Sequence, residues 1–280
     1  MRRPAQAGSF YPAERVALLS QIEKCFLHKL GPGKLPKPQE RGERRIVSAV
    51  SPHAGYMYSG PVAAHLYSEL ASDGLPDTII ILGPNHYAVG TGVSAMVDGA
   101  WQTPLGEVEI DSTVARQICK NSEIIDIDES AHISEHSIEV QLPFLQYIYG
   151  NQFKFVPISM MMQDSETSRS VGESIAKSRG SRDMLVIASS DLSHYESQKQ
   201  AETKDRLVMD AILKLDEEEL LRVVELENMS MCGYGPVSSA IVAGKLLGAT
   251  SAKVVSYQTS GDITGDYGQV VGYLSAKISK

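Results

Sequence analysis

Apolar residues in this chain gather in short runs, and each run leads into a polar or glycine-bearing segment. Ile46 to Val50 leads into Ser51-Pro52-His53, and Thr78 to Leu82 into Gly83-Pro84-Asn85-His86. Phe153 to Ile158 opens into Met160-Met161-Met162, and Met184 to Ala188 into Ser189-Ser190-Asp191-Leu192-Ser193-His194. Lys253 to Tyr257 leads into Gln258-Thr259-Ser260-Gly261-Asp262. Wholly apolar runs of this length are the pattern of strands whose sheet is covered on both faces.

Helical spacing fills the intervals. Val16, Leu19, Ile22 and Phe26 recur behind a predicted helix start at Pro12, and Val62, Leu66 and Leu70 behind one at Pro61. "SEHSIEVQLPFLQYIY" reads as a helix with a kink or junction at Pro143. Further helices are predicted in "DSTVARQICK", "QKQAETKDRLVMDAILKL", "EEELLRVVELEN" and "GPVSSAIVAGKLLG". Strands alternating with helices predict an α/β fold over residues 1–280, one domain with a mixed, mostly parallel central sheet and helices on both faces. "GVSAMVDGAWQTPLGEVEID" predicts a hairpin about Pro104-Leu105-Gly106 that makes the sheet mixed and offers an edge for homodimer pairing. The Pro- and Gly-rich "GPGKLPKPQERGE" is a predicted surface connection.

Composition narrows the function. With 42% hydrophobic and 21% charged residues, the chain is an ordinary globular sequence. A net charge of −8 argues against binding nucleic acid or an anionic membrane. No apolar stretch reaches the ~20 residues of a membrane helix. Three scattered cysteines, Cys25, Cys119 and Cys232, make no disulfide framework, so a reducing, cytoplasmic setting is expected.

Candidate chemistry collects where the strands end, because ligands of open α/β sheets sit outside the carboxyl edge. His53 and His86 are each delivered there behind a strand, His86 by a Gly83-Pro84 turn that sets its exit direction, and both are predicted metal ligands. Cys232 lies in "MCGYGPV", in a tight turn before a helix, and is the third candidate ligand. Two imidazoles and a thiolate suit iron, copper or zinc rather than magnesium or calcium. Asp191 and His194 form a candidate acid/base pair beside them, although Asp191 could equally cap a helix. In "AHISEHSIEV", His132 and His136 stand four residues apart; on a helix they could chelate zinc. Glu135 and His136 are predicted to line the cleft and, with Asp191 and His194, to be catalytic. Cys25, His28 and His65 are read as structural.

Several segments together resemble the Memo family: "AGSFYP", "SPHAGYMYSGPVAA", "LGPNHY", "WQTPLGEVEID", "EHSIEVQLPFL", "ASSDLSHY", "MCGYGPV" and "YQTSGD", in that order. The resemblance implies an α/β fold related to class III extradiol dioxygenases, the LigB-type non-haem iron enzymes. It implies His53, His86 and Cys232 as ligands, with Asp191 and His194 as neighbours. Some eukaryotic members carry a histidine just after the cysteine motif, where this chain has Tyr234-Gly235, so that residue's role does not transfer. Animal members are associated with phosphotyrosine-peptide binding and metal redox chemistry, and prokaryotic members with a radical-SAM protein. Three functions follow as expectations. They are iron- or copper-dependent redox chemistry on a small molecule or peptide, a zinc-type hydrolase, and a binding module without catalysis.

Overall fold

The computed structural model describes residues 1–39 and 42–280. The chain begins with helix α1 (Arg15–Leu27), strand β1 (Ile46–Ser51), helix α2 (Tyr56–Asp73) and strand β2 (Thr78–Pro84). A run of short elements follows: β3 (Val93–Ala95), β4 (Ala100–Thr103), β5 (Gly106–Glu109), α3 (Ser112–Lys120) and β6 (Asp126–Ile127). Next come α4 (Leu142–Tyr149), β7 (Lys154–Met160), α5 (Ser165–Lys177), β8 (Met184–Ser189) and β9 (His194–Glu196). The chain ends with α6 (Gln198–Leu213), α7 (Glu217–Leu226), α8 (Tyr234–Leu246), β10 (Ser251–Thr259), α9 (Ser260–Thr264) and β11 (Val270–Ser279).

The main sheet runs β10-β11-β1-β8-β2-β7-β3-β6, with β9 paired to the start of β11. Its centre, β1-β8-β2-β7, is parallel throughout. β11 joins β1 antiparallel, and β3 joins β7 antiparallel, so the sheet is mixed and mostly parallel as predicted. Side chains from the sheet show that both faces are covered. Ser48 Oγ donates to the Ala240 carbonyl of α8 on one face, and Ser275 Oγ to the Val62 carbonyl of α2 on the other. Burial on both faces is why Ile79 to Leu82 and Leu185 to Ala188 are entirely apolar and fully inaccessible.

All five predicted strands form, but several details differ. β4 and β5 do make a hairpin, with Thr103 opposite Gly106, yet as a separate two-stranded sheet. The mixed character comes instead from β11 and β3. Gly83-Pro84 is no turn; it completes β2, opposite Ser159 and Met160 of β7. α1 starts at Arg15, and Val16 is 80% exposed, because the stripe facing the core is Leu18, Ile22, Cys25 and Phe26. α2 and α8 start earlier than their prolines, each at a tyrosine behind a glycine N-cap. Pro236 then falls in the first turn of α8, where no intrahelical N–H partner is needed. Pro61 lies inside α2. Residues 40 and 41 of the predicted surface connection lie outside the described residues. Among the described residues no helix is long and apolar enough to cross a membrane.

Candidate metal centre

The four central strands run parallel, so β1, β8, β2 and β7 release their chains at the same edge. His53 follows β1 and His86 follows β2. β8 lies between those strands and places Ser189, with Asp191 just beyond it, between the two histidines. His136 arrives from above, on the segment before α4. Ligand nitrogens of His53, His86 and His136 all lie within 4.8 Å of one another. The ring centroids are 5.2 Å apart for His53 with either partner and 4.4 Å for His86 and His136. His53 is 2% exposed. The His136 and His86 side chains are 14% and 30% exposed, so solvent reaches the centre from the His86 side.

Hydrogen bonding fixes two of the three tautomers. Ser189 Oγ donates its single proton to the Ser137 carbonyl at 2.6 Å and accepts from Gln141 Nε2 at 2.7 Å. His53 Nδ1, 2.9 Å from the same oxygen, must therefore be the donor. Its lone pair is left on Nε2. Glu135 is 1% exposed and accepts from four groups: the His86 backbone N–H at 2.6 Å, His86 Nδ1 at 2.9 Å, and the His136 and Ser137 backbone N–H groups at 2.8 Å each. Burial raises the Glu135 pKa, but the His86 hydrogen bond and charge, with the remaining donors, outweigh it and bring it to about 2. An ionised carboxylate only accepts, so His86 also carries its proton on Nδ1 and offers Nε2. Metal-binding histidines are held in this way by carboxylate or oxygen partners on the far ring nitrogen. Burial, then Glu135 and His86 in opposite senses, leaves His136 with a pKa of about 4, while burial pushes His53 well below the usual imidazole range. Both are neutral at pH 7 and able to ligate.

Cys232 lies outside that trio but touches it, with Sγ 3.1 Å from His53 Nε2. The Asp191 backbone N–H points at the same sulfur from 3.3 Å. Burial, then the Asp191 carboxylate, pushes the thiol above its ordinary pKa, so Cys232 is an S–H donor to His53 here. The turn is tight because Gly233 lies against β8: a Cβ there would stand 2.6 Å from the Ser189 carbonyl and 2.7 Å from Ser190 Cβ. Gln163 clamps the turn from the other side, donating to the Cys232 carbonyl at 3.0 Å and accepting from the Gly235 N–H at 2.9 Å.

Asp191 caps no helix. The first helix beyond it starts at Gln198, and its Oδ1 instead accepts the His53 backbone N–H at 2.9 Å. Burial, offset by that bond and by His194, raises its pKa to about 6. His194 is half-buried at the head of β9, with its backbone N–H on Ser230 Oγ at 2.7 Å. The paired-histidine chelate on a helix is not formed. His132 sits in a single 3₁₀ turn, 1% exposed, its ring edge-on to Trp101 at 5.6 Å. His136 lies in irregular chain at the centre, because Glu135 captures the N–H groups that a helix would have used. A cavity of about 720 Å³ opens at the other end of the sheet, lined by Arg45, Glu69, Lys253 and Lys277, and holds none of this chemistry.

Sequence reasoning missed four supporting residues: Ser189, Gln163, Phe10 and Arg2. Phe10 lies against the His136 ring at 4.5 Å. Ser189 and Phe10 stand inside the motifs "ASSDLSHY" and "AGSFYP", which are the signal that could have found them.

The fold and this centre define an α/β protein with a histidine-rich site, able to hold a metal ion, at the carboxyl edge of its sheet. The profile of the Memo-like protein family matches residues 2–277, and the chain belongs to that family. A MEMO1 family protein of Methanopyrus kandleri is 52% identical over 98% of this chain and 97% of its own length. One from Methanothermobacter thermautotrophicus is 52% identical over 98% of each, and one from Methanocaldococcus jannaschii 50% over 99% and 98%. The crystal structure of an uncharacterized Escherichia coli K12 protein shares the fold at 15% identity, with a TM-score of 0.58, covering 84% of this chain and all of that one.

Proposed function

We propose that this protein is a metal-dependent oxidoreductase whose centre takes one iron or copper ion on His53, His86 and His136, with Cys232 as the sulfur donor at its edge. The observation that carries the reading is the convergence of three imidazoles whose protons, where the bonding settles them, face away from the common point. Nitrogen and sulfur donors together suit iron, copper or zinc and disfavour magnesium and calcium. Such an ion, when bound, supplies one-electron chemistry toward dioxygen or an oxidisable small molecule or peptide.

The chain's own part is positioning and proton handling. Glu135 and Ser189 hold the rings of His86 and His53 in one tautomer. Cys232 gives up the proton that it shares with His53 when its sulfur becomes a ligand. Asp191, with its pKa near 6, can take up or release a proton at neutral pH beside the His53 backbone. The dry side of the centre at His53 excludes water, and the His86 side admits the substrate. A second reading, a zinc ion activating water, draws on the same three neutral imidazoles, the ligand set of zinc hydrases.

The test is metal titration of protein purified without oxygen and stripped of metal. Fe(II), Cu(I) and Zn(II) are added separately and followed by calorimetry and absorption. One ion per chain, bound far more weakly by His53→Ala and His86→Ala, is expected, with dioxygen consumed by the iron or copper form. Tight zinc with no redox turnover would favour the second reading. Affinity unchanged in both histidine variants would overturn both.

A further inference from the structure

The segment that brings Glu135 and His136 to the centre has no regular structure of its own across residues 133–138. Something outside the centre must hold it. Its carbonyls and Glu139 converge on one side chain near the start of the chain. Arg2 is 7% exposed. Its Nε donates to the His132 carbonyl at 2.5 Å, Nη2 to the Glu135 carbonyl at 2.7 Å, and Nη1 to Glu139 Oε2 at 2.5 Å. The guanidinium lies over the Trp101 ring, 4.0 Å from its centroid. The backbone around it is equally fixed, since Arg2 N–H donates to Ala100 and the Arg2 carbonyl accepts from Gln102 of β4.

A planar fork of five donors can hold two carbonyls and a carboxylate at set angles, which a lysine ammonium cannot. Glu139 is itself fully buried and accepts from the Ala5 and Gln6 N–H groups and from the Tyr11 hydroxyl. Residues 2–11 and 132–139 are therefore locked together, and Phe10 is set against the His136 ring. We propose that Arg2 is a positioning residue for the histidine centre. By holding the Glu135 carbonyl it fixes the carboxylate that aims His86, and by holding the 132–139 segment it fixes His136. Arg2 touches neither metal nor substrate, and the inference rests on the metal-binding reading above.

Arg2→Lys tests it, with the exposed Arg3→Met as control. Metal affinity is expected to fall about 10- to 100-fold, the usual loss when a ligand's supporting partner is removed. Arg3→Met should stay within twofold. Because one of the two routes from Arg2 runs through Glu135, the losses in Arg2→Lys and Glu135→Gln should combine to clearly less than their product in the double variant. A merely structural role predicts independent factors. In parallel, nitrogen NMR of histidine-labelled, metal-free protein reports the His86 Nδ1–H hydrogen bond, which Arg2→Lys should weaken or average.

If wild-type protein bound no metal, the functional reading would fail, and the NMR signal would still decide the role of Arg2. If Arg2→Lys did not fold, Arg2→Met with Glu139→Gln removes both buried charges together, leaves neither unpaired, and carries the same readouts. Unchanged affinity with an unchanged His86 signal, or losses that multiply fully, overturns the proposal.

Discussion

Replacing Glu135 by glutamine tests the geometry most directly, because the change is nearly isosteric and removes only the charge and two lone-pair positions. The carboxylate accepts from four N–H groups, and its pKa is moved from 4.5 to about 2. Because the folded value lies below the unfolded one, its stabilisation is fully present above about pH 4.5 and is lost as pH falls toward 2. At pH 7 the shift corresponds to about 3 kcal/mol, and at pH 3 to roughly half of that. Glutamine also turns an NH₂ toward donors that it cannot accept from, which adds to the loss at neutral pH. Urea unfolding of metal-free wild type and Glu135→Gln should therefore show a gap of roughly 3 kcal/mol at pH 7 that about halves by pH 3. A gap under about 1 kcal/mol at pH 7, or one that does not change with pH, would refute the reading of Glu135 as the ionised anchor of the centre.

Three further outcomes are expected. His132 is buried with neither ring nitrogen hydrogen-bonded, and burial, then Arg2, lowers its pKa to about 4. The unfolded chain takes up that proton below pH 6.5 and the folded one does not, so His132 erodes stability between pH 6.5 and 4. His132→Phe should be at least as stable as wild type at pH 7.5 and about 3 kcal/mol ahead at pH 4 by urea unfolding; parallel acid profiles would count against it. Gly233→Ala drives a methyl into the Ser189 carbonyl and Ser190, so a loss of about 1–3 kcal/mol is expected together with weaker metal binding; an unaltered calorimetric titration would show that the turn yields. Cys232→Ser should abolish sulfur-to-metal charge-transfer absorption in the Co(II) or Cu(II) form while the histidines still bind the ion, and persistence of the band would exclude Cys232 as a ligand.

The sequence carried the carboxyl-edge logic well because it depends on strand ends, and strand ends are written as an apolar run meeting a polar turn. His53, His86 and Asp191 come together for that reason. Their convergence also needed β8 to lie between β1 and β2, an order that no run of residues states. β11 is equally hidden: "VVGYLSAKIS" mixes Gly272, Ser275 and Lys277 into its alternation, since Ser275 uses its hydroxyl on α2 and Lys277 reaches Glu69 at 2.6 Å. Gly83 was legible as unusual but not for the right cause. It is not a turn residue; a Cβ there would meet Ser137 Oγ at 2.4 Å, so its absence is what lets the 135–138 segment descend onto the end of β2.

The third imidazole shows why periodicity alone misplaced part of the site. "SEHSIEVQLPFLQYIY" has helical spacing, and from Leu142 onward it is a helix. Upstream, Glu135 overrides that spacing. Its carboxylate takes the N–H groups of His136 and Ser137, while the Glu139 carboxylate ties the segment to Arg2 and to the N–H groups of Ala5 and Gln6. A local side-chain acceptor competes with the helix for the same backbone donors, and Glu135 is buried, ionised and multiply satisfied. The helix yields to it. His132 and His136 then separate, one against Trp101 and the other against His86. What reads as a chelating pair on one helix is one histidine packed against Trp101 and one at the candidate metal centre, divided by the acid that lies between them.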